Sequence, residues 1–201
     1  MRLIGMLDSP YVRRVAISLH ALGLEFEHEA LSVFRTFDAF AAINPVVKAP
    51  TLVTDDGVVL MDSTLILDHL ERAAGASLMP AEGVARTRAL QLLGLALAAC
   101  EKSVQIVYEN LRPAELRDGA WIERVRGQTL AAFDLLEREV AGAGPWLAGA
   151  RMLQPDISTA VAWRFARYRT PELADPGRCP TLAAFSERLE REPAFVAAPI
   201  E

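Results

Sequence analysis

The pattern of apolar residues changes once along the chain, and this change limits which folds the chain can adopt. Up to about residue 76, short apolar runs of strand length alternate with segments of helical spacing. Beyond that point every apolar pattern is helical. A chain of 201 residues is long enough for two small domains. We therefore predict an α/β domain at residues 1–76, a linker at 77–85 and an all-helical domain at 86–201.

The first domain is predicted to have the element order β-α-β-α-β-β-α. A helix between the first two strands makes them parallel. Asp56-Gly57 between the last two apolar runs is a strong hairpin signal, so those strands are antiparallel. The pattern thus predicts a mixed four-stranded sheet. The strands are expected at Arg2–Met6, Phe26–Leu31, Pro50–Val53 and Val58–Met61, and the helices at Pro10–Leu22, Phe37–Ile43 and from Asp62-Ser63 onward.

The second domain opens with a long helix, from about Val84 to Leu111, that has two apolar rows. We expect one row to face the bundle and the other to need a different cover, either the first domain or a second copy of the chain. The inward row is predicted to be Leu90, Leu93, Leu97 and Cys100, and the other row Leu92, Leu95, Ala96 and Ala99. Further helices are predicted at Ala120–Ala141, Asp156–Arg169 and Thr181–Arg191.

Charge and composition exclude several classes of function. The net charge of −5 and the pI near 5.3 do not indicate the basic surface that binds nucleic acid or an anionic membrane. The apolar run Leu90–Cys100 is too short to span a bilayer, and no signal peptide is evident, so we expect a cytoplasmic protein. Cys100 and Cys179 have no metal or redox spacing and are expected to be buried and inert. The histidines have no metal-like spacing either, and no metal or organic cofactor is expected.

Ser9 lies where the first strand turns into the first helix, with Pro10 after it. Serine is a favoured N-cap and proline a favoured first helical residue, so Ser9 could simply cap the helix. The same geometry allows chemistry, because a helix N-terminus is positively polarised and favours a thiolate. A serine hydroxyl held there can donate a hydrogen bond to a bound thiolate.

Two further segments have a structural and a functional interpretation. Asp62-Ser63 can cap the third helix, or can bind the carboxylate and ammonium groups of an α-amino acid. Pro50 can mark an ordinary edge position, or can be a cis proline that leaves the backbone of Ala49 open to a peptide ligand. Lys48 would then lie close to a carboxylate of that ligand.

These segments together resemble the glutathione transferase family. The N-terminal resemblance rests on Ser-Pro-Tyr-Val-Arg-Arg-Val from Ser9, on Asn44-Pro45, on Lys48-Ala49-Pro50-Thr51-Leu52 and on Leu60-Met61-Asp62-Ser63-Thr64-Leu65-Ile66. The C-terminal resemblance rests on Trp146-Leu147-Ala148-Gly149 and Pro155-Asp156-Ile157. The chain looks like a bacterial serine-type member, since Ser9 stands where omega-like and reductase-like members have cysteine. The resemblance implies a thioredoxin-like first domain, an all-α second domain and a homodimer.

The resemblance also implies a role for each matching residue. Ser9 would hydrogen-bond the glutathione sulfur and help it ionise. Ala49, with Pro50 cis, would pair its backbone with the cysteinyl unit. Asp62 and Ser63 would hold the γ-glutamyl end, and Lys48 would face the glycyl carboxylate. Tyr11 and Tyr108 are the better candidates for the pocket of a hydrophobic electrophile.

Two positions depart from the family pattern. Ala49 replaces the usual valine or isoleucine before the cis proline, a change that a backbone contact tolerates. Leu153 replaces the serine or threonine that normally forms a capping box with the aspartate at position 156, so we expect weaker local stability there.

The leading interpretation is an enzyme that uses glutathione as co-substrate and adds its thiolate to an electrophilic small molecule. A non-catalytic glutathione-binding or protein-interaction module on the same fold is the alternative, because a fold does not fix a function. A disulfide reductase would need a nucleophilic cysteine near position 9, and the sequence has none there.

Overall fold

The computed structural model describes residues 1–200. The strands are β1 (Arg2–Ile4), β2 (Glu27–Glu29), β3 (Thr51–Val53) and β4 (Val59–Met61). The helices are α1 (Pro10–Ala21), α2 (Phe37–Ile43), α3 (Ser63–Ala74), α4 (Gly83–Asn110), α5 (Gly119–Ala141), α6 (Gln154–Arg169), α7 (Pro180–Leu189) and α8 (Pro193–Val196). A short 3₁₀ helix at Ala114–Leu116 and α8 were not predicted from the sequence.

The four strands form one mixed sheet in the order β2-β1-β3-β4. β1 runs parallel to β2 and antiparallel to β3, and β3 pairs antiparallel with β4. This arrangement confirms the predicted thioredoxin-like sheet and the hairpin at Asp56-Gly57. α1 packs against α3, and the fully buried core includes Leu3, Leu52 and Ile66.

The chain divides into two compact units, but the division differs from the predicted one at the C-terminus. The first unit contains residues 1–78 together with the segment that begins at Glu192, and the second contains Met79–Arg191. The apolar pattern predicted that all of 86–201 belongs to the second domain. The C-terminal segment joins the first unit because α8 packs on α1, where buried Arg13 donates from Nε to the carbonyl of Ala198 at 2.9 Å.

The linker also differs slightly from its predicted range of 77–85. Helix α4 already begins at Gly83, so the last three residues of that range are helical. The chain after α3 is fixed by Glu71, whose carboxylate accepts from the Ser77 hydroxyl at 2.6 Å and from the Leu78 amide at 2.9 Å.

In the second unit α4 packs on both α5 and α6, and the predicted facing of its apolar rows is partly wrong. Leu90, placed in the inward row, is 51% exposed, whereas Leu92, Ala96 and Ala99 of the other row are buried. Two neighbouring helices together cover a wide arc of α4, which includes most of the row that was expected to need a separate cover. By length and composition α4 could also cross a membrane, a property that it shares with core helices of globular proteins.

The start of α6 shows what the Leu153 departure does to the capping box. The Asp156 half is intact, since its carboxylate oxygens accept from the amides of Leu153 and Leu147, each at 2.8 Å. Leu153 has no polar side-chain atom and cannot supply the other half; its side chain is buried instead. Burial raises the pKa of Asp156, and the two amides act in the opposite direction.

Candidate functional site

Ser9 occupies the N-cap position of α1, but its hydroxyl does not cap the helix. Backbone hydrogen bonds fix Ser9 at the start of the helix instead. Its amide donates to the carbonyl of Met6 at 3.1 Å, and its carbonyl accepts from the amide of Arg13 at 2.9 Å. Ser9 is only partly buried. The simple capping interpretation therefore fails for the side chain, and the hydroxyl stands at a positively polarised helix end with its hydrogen-bonding capacity available to a ligand.

Asp62 and Ser63 divide their roles at the start of α3. Asp62 caps the helix, because its Oδ1 accepts from the amide of Thr64 at 2.9 Å. Ser63 is buried, and its Oγ accepts a hydrogen bond from Arg14 Nη1 at 3.0 Å. The capping interpretation is thus correct for Asp62, while the hydroxyl of Ser63 is held by a residue of another helix.

Lys48 and Asp62, which are 14 positions apart in the sequence, lie close together in the structure. Lys48 Nζ is 3.6 Å from Asp62 Oδ2, and about half of each side chain is exposed. An exposed pair of this kind contributes about 0–1 kcal/mol, because water and salt screen it. The pair can therefore open at little cost when a charged ligand competes for either group.

The backbone is strained at two positions beside these residues. Val47 has φ 51° and Asp62 has φ 72°, and they are the two non-glycine residues with positive φ within residues 1–200. A residue held in such a conformation costs roughly 1–3 kcal/mol, and such residues concentrate at ligand sites. The strain flanks Lys48 and Ser63, two of the residues singled out from the sequence.

The segment before β3 is shaped for contact with an extended ligand. The Ala49–Pro50 peptide bond is cis, as the family resemblance implies. Ala49 is partly buried, and within the described chain its amide and carbonyl make no backbone hydrogen bond outside the sheet ladders. These two groups are available to pair with another backbone, in the manner of an added strand.

Two residues to which no role was assigned from the sequence hold this segment in place. Buried Asn44 donates from Nδ2 to Thr51 Oγ1 at 2.8 Å, and that hydroxyl in turn donates to the carbonyl of Lys48 at 2.7 Å. In the sequence the Asn44-Pro45 pair contributed only to the family resemblance. An asparagine that is followed seven residues later by a threonine, across a proline-containing loop, is the signal that could have indicated the brace.

Gly5 allows the cis-proline segment to approach α1. Its φ is 137°, and a Cβ atom there would lie 2.6 Å from a methyl group of Val12 and 3.3 Å from the Cβ of Ala49. The end of β1, the first turn of α1 and Ala49 can meet only because position 5 has no side chain. This close approach brings the backbone of Ala49 to the same end of the sheet as Ser9.

The two tyrosines proposed for an electrophile pocket belong to different units. Tyr11 is partly buried in the first turn of α1, and Tyr108 is half exposed near the end of α4. Their assignment to a shared pocket remains a prediction.

Both cysteines are buried, as expected. Burial, together with the nearby carboxylates of Glu137 and Asp134, raises the pKa of Cys179 to about 11. Its thiol is therefore protonated near neutral pH and is a poor nucleophile. Among residues 1–200, no group of three histidine, cysteine or acidic side chains is placed to hold a metal ion.

Comparison with known proteins agrees with this geometry. The family model for the glutathione S-transferase N-terminal domain matches residues 3–78, and the model for the C-terminal domain matches residues 119–188. The chain is 29% identical over 138 residues to the GST-like protein YibF of Escherichia coli (strain K12), covering 68% of each chain.

Solved structures give the same picture over the full length. A glutathione S-transferase of Methylobacterium radiotolerans in complex with glutathione sulfonate is 29% identical with a TM-score of 0.91, covering 100% of this chain and 95% of that one. A glutathione transferase family member of Pseudomonas fluorescens Pf-5 with bound S-(propanoic acid)-glutathione is 31% identical with a TM-score of 0.80, covering 98% of both chains. Two matched domains and full-length likeness in sequence and structure lead to one conclusion: this chain belongs to the glutathione S-transferase family.

Proposed function

We propose that this protein is an enzyme that binds glutathione and transfers its thiolate to a hydrophobic, electrophilic small molecule. The observation that carries the proposal is the Ser9 hydroxyl, which lies at the start of α1 and is not used to cap it. The first unit also contains the open backbone of Ala49 and the polar start of α3 at Asp62-Ser63. The relatives solved with glutathione derivatives bound support the choice of ligand.

Each end of the tripeptide finds a group of suitable chemistry in this arrangement. Ser63 and the first amides of α3 would take the α-carboxylate of the γ-glutamyl unit, and Asp62 its ammonium group. The backbone of Ala49, before the cis Pro50, would pair with the cysteinyl unit. Lys48 would leave its weak pair with Asp62 and face the glycyl carboxylate.

Catalysis would come from ionisation of the bound thiol and from proximity. The Ser9 hydroxyl would donate to the sulfur, and the N-terminal end of α1 would favour its negative charge, so the pKa of the bound thiol would fall. The thiolate then forms a bond to the electrophilic carbon, and the leaving group or the added electron pair is released or protonated. Tyr11 and Tyr108 remain our candidates for contact with the electrophile, and glutathione is a co-substrate with no cofactor required.

A panel of electrophiles tests the transferase activity directly. Purified protein would be assayed with aryl halides, isothiocyanates, enals and organic peroxides, each with and without glutathione. Glutathione-dependent turnover of at least one of the carbon electrophiles is expected, whereas turnover of the peroxides alone would be oxidation of glutathione and not transfer. Tight glutathione binding without turnover of any compound would instead favour the non-catalytic binding module.

Replacing Ser63 by alanine is expected to weaken glutathione binding. A hydrogen bond to a charged group contributes about 1.5–3 kcal/mol, which corresponds to a rise in Kd of roughly 10- to 150-fold. Isothermal titration of Ser63→Ala against the wild type measures this change. Ser77→Ala is the control, since Ser77 binds Glu71 after the end of α3 and should leave the Kd unchanged. Unchanged affinity in Ser63→Ala would remove Ser63 from the site.

We also propose that the protein is a cytoplasmic homodimer. Leu90 and Gly94 lie on an exposed face of α4, one turn apart, and the family resemblance implies a dimer. Light scattering is expected to give about twice the 21.9 kDa of one chain, and Leu90→Glu is expected to halve that mass. Leu116→Glu, at an equally exposed leucine in the 3₁₀ helix, is the control and should remain dimeric. A wild-type mass of one chain at micromolar concentration would contradict the dimer.

A further inference from the structure

Arg14 belongs to α1, but its guanidinium reaches the start of α3. The residue is 1% exposed, and its Nη1 donates to Ser63 Oγ at 3.0 Å and to Thr64 Oγ1 at 3.3 Å. Ser9 lies at the start of the same helix α1. The buried Arg14 side chain therefore connects α1, which begins directly after Ser9, with Ser63, the first residue of α3.

The direction of the hydrogen bond determines what Ser63 can still do. A guanidinium has only donors, so the oxygen of Ser63 must accept from Arg14. The hydroxyl proton of Ser63 is then left to donate, and Ser63 donates no side-chain hydrogen bond within residues 1–200. The nearby Asp62 carboxylate accepts from the Thr64 amide at Oδ1 and lies 3.6 Å from Lys48 Nζ at Oδ2. The arrangement gives Ser63 a fixed oxygen and a proton available to an incoming acceptor.

We infer that Arg14 is a positioning residue that selects ligands with a free α-carboxylate at the γ-glutamyl end. It holds Ser63 Oγ so that the hydroxyl donates to that carboxylate, and it adds a buried positive charge beside the N-terminus of α3. This inference rests on the proposed function. It extends that function in two respects: Arg14 acts without touching the ligand, and it controls the preference for a free α-carboxylate.

The neighbouring residue provides a matched control. Arg13 is also 1% exposed and lies on the same helix, but it contacts the C-terminal segment. Its Nε donates to the carbonyl of Ala198 at 2.9 Å, and its guanidinium stacks over the ring of Phe195 with a centroid distance of 5.7 Å. Arg13→Met and Arg14→Met thus remove the same atoms from equally buried sites, but only the second change affects Ser63.

The test compares two ligands that differ in one group. Isothermal titration would give the Kd of wild type, Arg13→Met and Arg14→Met for glutathione and for γ-aminobutyryl-cysteinylglycine, which lacks the α-carboxylate. The wild type is expected to prefer glutathione. Arg14→Met should reduce that preference by about tenfold, the effect of one hydrogen bond to a charged group. Arg13→Met should keep the preference, even if both variants melt at a lower temperature.

A double-mutant cycle with Ser63→Ala sharpens the result. If Arg14 acts through Ser63, Arg14→Met should weaken glutathione binding much less in the Ser63→Ala background than in the wild type. Should Arg14→Met fail to fold, Arg14→Lys replaces it, because it keeps the charge and the long stem but lacks the planar fork of donors. Arg14→Lys is also expected to reduce the preference for glutathione.

The outcomes separate this inference from the proposed function. An unchanged preference, which includes equal losses of affinity for both ligands, overturns the role of Arg14 but does not contradict the proposed function. Additive effects in the cycle overturn it as well. A wild type that binds neither ligand overturns the proposed function, and the inference with it.

Discussion

Ser9→Ala is expected to lower turnover with glutathione by about 100- to 1000-fold, the usual effect of removing one preorganised donor to a developing anion. Binding of glutathione should change far less, because the lost hydrogen bond matters most to the thiolate. Steady-state kinetics would give the change in kcat. The ultraviolet absorbance of the bound thiolate, followed against pH, would report the pKa of the sulfur. That pKa should rise in the variant toward the free-thiol value of about 8.5.

Two further variants at the same position define the role of the hydroxyl. Ser9→Thr keeps a donor and should retain most of the turnover. Ser9→Cys should lose conjugation but gain thiol–disulfide exchange, because a cysteine at a helix N-terminus has a lowered pKa. The two native cysteines are buried, so this gain would stand out against a low background. Undiminished turnover in Ser9→Ala would show that the hydroxyl has no part in the reaction.

Asp156→Ala is expected to lower the free energy of unfolding by about 2–6 kcal/mol. The substitution leaves the amides of Leu147 and Leu153 without their acceptor, at about 1–3 kcal/mol for each unsatisfied group. The partner half of the capping box is absent at Leu153, so no side-chain oxygen at that position can compensate. A loss of this size is a large part of the stability of an ordinary domain. Urea unfolding followed by circular dichroism measures it.

Asp134→Ala is the matched control for this prediction. Asp134 also accepts two hydrogen bonds, from Arg178 Nε at 2.8 Å and Nη2 at 2.6 Å, but this pair lies at the surface. Its removal should cost at most about 1 kcal/mol. If Asp156→Ala were no more destabilising than Asp134→Ala, the two amides would have to find other acceptors, and the account of the α6 start would be wrong.

The sequence predicted well those features that depend on neighbouring residues. Asp56-Gly57 marked a hairpin because a tight turn favours those residue types, and Pro10 marked a helix start because its fixed φ suits the first helical position. The facing of α4 was harder, since nearly every residue from Leu92 to Cys100 is apolar. When a helix is apolar on most sides, the spacing of its apolar residues does not show which side faces the core. Spacing alone therefore cannot separate exposed Leu90 from buried Leu92.

Contacts between distant parts of the chain leave no local pattern to find. Arg14 and Ser63 are 49 positions apart, and Arg13 and Ala198 are 185 apart. The Arg13-Arg14 pair was visible in the sequence, but two adjacent arginines on an amphipathic helix usually indicate a solvated face. Their burial depends on which segments pack over α1, and this is decided by tertiary structure rather than by helical periodicity.

The position of α8 has a consequence for the order in which the protein can be completed during its synthesis. Chains are made from the N-terminus, and domains generally fold as they emerge from the ribosome. The first unit cannot complete its packing in this way. Arg13 contacts the ring of Phe195 and the carbonyl of Ala198, and both residues are translated after the entire helical unit. Until then a buried guanidinium of α1 lacks its C-terminal acceptor. A segment made after the helical unit therefore completes a unit that was begun before it.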